Sequence, residues 1–178
     1  MLSEPLWCCG SPPLVVAALA GCPSLVLTLL HHGAGHHHHH HHHHHQQHKR
    51  INMNGVYQAV IFLIRKLLDE WRGSEEGSSA PPAPDLLTWA GNSPTAKCLR
   101  YLLRTITRVP HKLLRDQLNY SDPASLLPPR CCRDPPPLLH LARVAVRELL
   151  RVGGELPGSI NTLDLPAPLR CRLSLLRD

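Results

Sequence analysis

Apolar and polar positions along the chain divide it into helical stretches separated by proline, glycine and histidine. From Ile51 to Trp71 an apolar stripe recurs at three- and four-residue spacing: Val56, Val60, Ile61, Leu63, Ile64, Leu67, Leu68 and Trp71. Arg65, Lys66, Asp69 and Glu70 fall on the opposite side. Ser93-Pro94 reads as an N-cap with proline at the first helical position, opening a helix with Cys98, Leu99, Leu102, Leu103 and Ile106 on one face. His111 to Leu118 adds a further turn or two. Near the C-terminus, Pro135 to Pro137 lead into a run that Gly153-Gly154 end. There Leu138, Leu141, Ala142, Ala145, Val146 and Leu149 share a face, and Arg143, Arg147 and Arg151 repeat every four residues on another. A helix this short is marginal alone and must bury its stripe against something.

Between these runs the chain loses its periodicity. His36 to His45 are ten consecutive histidines, with His31, His32 and His48 nearby. Imidazole binds metal, but a homopolymer supplies neither fixed geometry nor supporting hydrogen bonds, so this tract reads as an unfolded insertion. Gly73 to Pro84 is a flexible linker by composition. The stretch 119–136 holds five prolines (Pro123, Pro128, Pro129, Pro135 and Pro136) before Pro137 and reads as a stiff connector.

Ser11 to Leu30 carries no charge, but Gly21 and Pro23 interrupt it and no basic residue precedes it. Its pattern Pro13-Leu14-x-x-Ala17-Ala18-x-x-Gly21, followed by Leu25, Val26, Leu29, Leu30, Gly33 and Ala34, resembles an ankyrin repeat. That repeat needs alanines where helices pack closely, a glycine between two short helices, and a second glycine for the turn that follows. Pro12 stands where the repeat usually has Thr, Val15 where it has His, and Gly35 where it has an acidic residue. About three repeats are needed for a stable stack, so the array reads as starting part-way, with upstream repeats absent.

The C-terminal run Pro137-Leu138-x-x-x-Ala142-x-x-x-Val146, with Leu141 beside it, resembles the Elongin-binding box that opens a SOCS box. Leu165-Pro166-Ala167-Pro168 resembles the cullin box that follows, with Leu169, Leu173, Leu175 and Leu176 as an apolar tail. Ala142 replaces the usual Cys, a loss of roughly one methyl-sized contact, about 1 kcal/mol. The resemblance is therefore to the ankyrin repeat and SOCS box family.

Composition adds limits. The 178 residues include 18 prolines and only 4% aromatics, enough for a Leu- and Ala-rich helical core with segments left over. The net charge of +6 is carried mostly by arginines dispersed on helix faces, without aromatic stacking partners. Solvated faces are expected, rather than a nucleic-acid surface. Seven cysteines show no C-x-x-C spacing and fit reduced thiols in the cytoplasm. No phosphate loop, nucleophile elbow or paired carboxylates are present, so no catalytic, metal or cofactor residue is assigned. His111 and His140 are isolated, and Cys98 in its apolar stripe reads as an inert buried thiol.

The expected fold is all-α: a short ankyrin-type helical stack followed by a C-terminal three-helix SOCS box, with disordered insertions. The expected organisation is a tail (1–10), an ankyrin repeat (11–35), the histidine insertion (36–50) and a helix from a degenerate repeat (51–72). A linker (73–84), a last irregular repeat (85–118), the connector (119–136) and the SOCS box (137–178) follow. What the family implies is a non-enzymatic, substrate-recognising subunit of a ubiquitin ligase, with Elongin B/C and a Cullin-5 type scaffold as partners and an unknown protein substrate. Leu138→Pro is expected to remove a helical hydrogen bond and the anchor together. Two alternatives stay open: an ankyrin scaffold without ligase recruitment, and a membrane-anchored or secreted protein using residues 11–30.

Overall fold

The computed structural model describes residues 12–34, 55–74, 85–118, 120, 123–132 and 135–176, and every regular element among them is helical. The elements are α1 (Pro13–Leu19), α2 (Pro23–His31), α3 (Gly55–Arg72), α4 (Leu86–Trp89), α5 (Pro94–Leu103) and α6 (His111–Leu118). A 3₁₀ turn (Pro123–Leu126) and α7 (Pro129–Cys132) follow, then α8 (Leu138–Val152), a second 3₁₀ turn (Gly158–Ile160) and α9 (Ala167–Leu173). The expectations for the N-terminal tail, the histidine tract and most of the linker fall outside the described residues.

Local chemistry sets the ends of these helices. Proline at the first position opens α1, α2 and α5, where its missing N–H is not needed. Ser93 Oγ accepts from Ala96 N–H at 3.2 Å, as its position predicted, and Asp85 caps α4 by accepting from Thr88 N–H at 3.0 Å. α1 closes with Gly21 at φ +64°, whose N–H reaches Ala18 O, while Cys22 N–H reaches Ala17 O. The uncharged N-terminal segment is thus two short helices. No described helix is long and apolar enough to cross a membrane.

α1 and α5 touch each other, and each also touches α2 and α3. α4 and α6 complete the layer against α3. All eight residues expected in the α3 stripe are buried, and Arg65, Asp69 and Glu70 are exposed. The predicted α5 face is buried as well, although its last member, Ile106, lies beyond the helix end. Leu14, Ala17, Ala18, Leu29, Leu30 and Ala34 point into the same core. Burial pushes the Cys98 thiol up to about 11, in keeping with an inert core position.

The proline-rich stretch differs from the spacer expected there. Its 3₁₀ turn carries Leu126 and delivers Leu127, both buried in the main core. Val109 N–H bonds Cys131 O at 3.0 Å and His111 Nε2 lies 3.1 Å from Cys132 O, fastening α7 beside the start of α6. Two adjacent leucines with nothing else to cover them draw the connector inward.

Candidate docking face on the C-terminal helix

α8 begins after Pro137, whose carbonyl accepts from His140 and Leu141 N–H. It ends at Gly153, where Gly154 N–H returns to Arg151 O and Glu155 N–H to Leu150 O, with Gly154 at φ +71°. Leu138, Ala142, Ala145, Leu149 and Val152 follow one another at spacings of four and three. At about 100° per residue they form a single narrow row some 21 Å long. All five are exposed; Leu138, Leu149 and Val152 keep 82%, 74% and 70% of their surface.

The opposite face of α8 is basic, and it is the buried one. Arg147 lies directly across from the apolar row and is only 2% exposed. Its guanidinium donates to Leu30 O, at the end of α2, and to Leu173 O, at the end of α9, both at 2.5 Å. Both carbonyls lie at the negative end of a helix dipole; Leu30 O also accepts from Gly33 N–H at 3.0 Å, so Arg147 fills its second lone pair. Burial, with Arg143 nearby, lowers the Arg147 pKa to about 10, so the side chain remains a cation at neutral pH. A turn before it, Arg143 donates to His140 Nδ1 at 2.7 Å, which leaves the proton on Nε2 to meet Ile106 O at 2.7 Å. A turn after it, Arg151 forms a forked bond to Glu148 (2.9 and 2.6 Å) while its stem lies over Gly33. A Cβ built on Gly33 would stand 2.9 Å from Arg151 Cγ, and φ there is +79°. That glycine serves both the turn and the approach of α8.

The end of α9 is tied down in the same way. Leu173, Ser174 and Leu175 offer three successive carbonyls, which meet Arg147 from α8, His31 from α2, and Arg104 just past α5 (2.6 Å). Leu175 adopts φ +60° and closes α9, with its own N–H on Arg172 O and Leu176 N–H on Cys171 O. A leucine in the left-handed region is strained by roughly 1–2 kcal/mol. Its complete burial in the main core offsets that strain.

The residues expected to dock a partner therefore divide. Pro137, Leu138 and Ala142 are exposed, while Leu141 and Val146 are half-buried on the flanks of the row. Pro166, Ala167, Pro168 and Leu169 are exposed and Leu165 half-buried, whereas Leu173 and Leu175 of the expected tail are internal. The reading of the arginines as solvated is corrected at Arg147, which is internal, and at Arg100, which is half-buried and donates to Leu87 O and Gly91 O. Val152 was missed. It continues the four-three spacing of positions 138, 142, 145 and 149, the signal that would have found it.

Residues 134–174 match the SOCS box. The helical pieces of this SOCS box are α8, the 3₁₀ turn at 158–160 and α9. Such a module implies Elongin B/C and a cullin-type partner, and suggests an adaptor role in a ubiquitin ligase. No curated protein and no solved structure matches the chain.

Proposed function

We propose that the chain is a substrate-recognising adaptor of an Elongin B/C–cullin ubiquitin ligase. In this reading the outward row of α8 lies in a groove of Elongin C, as an amphipathic helix does in a hydrophobic groove. The observation that carries it is the orientation of α8, whose apolar row is exposed while Arg147 is buried. Covering a large aliphatic side chain is worth about 1.5–3 kcal/mol, so Leu138, Leu149 and Val152 together supply the bulk of the docking energy. Ala142 and Ala145 between them let the partner's backbone approach closely.

The exposed Leu165-Pro166-Ala167-Pro168 segment is the proposed cullin contact, of Cullin-5 type. The helical body would hold the client as an ankyrin-type stack. Two units support that assignment: α1 and α2 joined through Gly21 (φ +64°), and α4 and α5 joined through Gly91 (φ +54°).

The test is co-expression with Elongin B/C. The wild-type chain is expected to co-purify stoichiometrically and Leu138→Asp to lose the complex while staying folded. Retention of the complex by Leu138→Asp removes the assigned anchor. Leu138→Pro is the weaker test, contrary to the sequence expectation. Leu138 is the first residue of α8, so its N–H belongs to no helical hydrogen bond and proline there deletes only the side chain.

A further inference from the structure

Of the 19 lysine and arginine side chains, lysine supplies only four: Lys49, Lys66, Lys97 and Lys112. Lysine is among the commonest residues of soluble domains, so arginine has been taken in its place. Beyond Lys112 the chain carries nine arginines and no lysine, and that stretch includes the whole SOCS box. Lys49 falls outside the described residues. The other three stand on the helical body, Lys66 half-buried on α3, Lys97 and Lys112 exposed on α5 and α6. Some arginines use a forked head that lysine lacks, as Arg147 does on two carbonyls and Arg151 on Glu148. Others do not. Arg115 is exposed on α6, and Arg170 and Arg172 are half-buried on α9 without a side-chain hydrogen bond to any described residue. Either cation would serve the fold at these positions, but the two differ in reactivity.

We propose that arginine stands in for lysine on the C-terminal module so that it escapes ubiquitin transfer by the chain's own ligase, and that Lys97 and Lys112 are the sites where such transfer still falls. The inference rests on the adaptor reading. In that reaction a neutral ε-amine attacks the thioester joining the ubiquitin C-terminus to a conjugating enzyme's cysteine. An amide C–N bond forms, the C–S bond breaks, and the departing thiolate takes the proton that the nitrogen gives up. At pH 7.4 about one lysine amine in a thousand is neutral, whereas a guanidinium is in effect always protonated. An adaptor stays beside the donor through every cycle, which gives its own amines a high effective concentration there. α9 itself carries Ala167 and Pro168 of the proposed cullin contact, so ubiquitin joined to α9 would obstruct assembly.

The experiment assembles the full chain with Elongin B/C and a cullin–RING pair, then adds activating enzyme, conjugating enzyme, ubiquitin and ATP. Modified chain is quantified on gels and the acceptor residues are mapped by mass spectrometry. The wild type is expected to be modified weakly, at Lys97 and Lys112, and Lys97→Arg/Lys112→Arg to reduce that at least fivefold. Arg170→Lys/Arg172→Lys, which keeps the net charge, should be modified at least fivefold more than the wild type, at the new lysines. Melting temperatures check folding, and where the α9 pair disturbs it the exposed Arg115→Lys takes its place. Loss of the ubiquitin thioester from the conjugating enzyme shows in the same reactions that the ligase is active. With an active ligase, no gain from the restored lysines, or wild-type modification that persists in Lys97→Arg/Lys112→Arg, overturns the proposal. Failure of the chain to assemble with Elongin B/C, scored beforehand by co-purification, overturns the adaptor reading instead and this inference with it.

Discussion

α3 and α8 are written in the same code and used in opposite ways. Each is an amphipathic helix of four or five turns with arginines opposite a Leu- and Val-rich stripe. α3 turns its stripe inward and is held by apolar contact with α1, α5 and α6. α8 turns its stripe outward and is held by guanidinium and imidazole groups on the carbonyl ends of other segments. The body has enough aliphatic surface to make its own core, and the C-terminal module does not. Ile160, Leu173 and Leu175 are its only buried apolar side chains among the described residues, so polar anchors do what a core does elsewhere.

The comparison can be broken most forcefully in α3. Leu63 is fully buried, and Leu63→Ala should lower unfolding free energy by about 3–4 kcal/mol in urea denaturation, from lost transfer energy plus a cavity. Arg147→Ala comes next, at about 3 kcal/mol. Stranding Leu173 O costs about 1–3 kcal/mol and losing the second of two bonds to Leu30 O about 1 kcal/mol, partly offset by removing a buried charge. Amide hydrogen exchange should show that loss concentrated in α8 and α9. Gly33→Ala should cost about 2 kcal/mol, from the left-handed backbone and the contact with Arg151, and should also loosen α8. The smallest effect belongs to Leu149→Ala, below about 0.5 kcal/mol in the isolated chain, because its side chain already meets water. A loss at Leu149 comparable to that at Leu63 would erase the distinction between the two helices.

Much of this architecture is legible in the sequence. Three- and four-residue spacing marks α3, α5 and α8, and Pro13, Pro23, Ser93-Pro94, Gly21 and Gly33 mark helix ends close to where they fall. The SOCS box was visible as two short motifs in order near the C-terminus. Periodicity groups side chains by face, however, and does not say which face is internal. Arg147 shows why. Its long apolar stem and forked head suit an interior position only when carbonyls with a lone pair to spare wait there. Those carbonyls, Leu30 O and Leu173 O, lie 117 and 26 residues away in the chain. Leu126 and Leu127 were hidden for a related reason. Among prolines they look like part of a spacer, until the turn at Pro123–Leu126 aims them into the core.

The claim that the row on α8 faces water in the free chain is tested most directly by the urea midpoint of isolated Leu149→Asp. A carboxylate at an exposed position in the last turn of α8 costs only helix propensity and an unfavourable dipole contact, so stability should fall by no more than about 1 kcal/mol. A midpoint shifted down by several kcal/mol of stability would mean that Leu149 is internal, since burying an unpaired carboxylate is that costly, and would contradict the docking face itself.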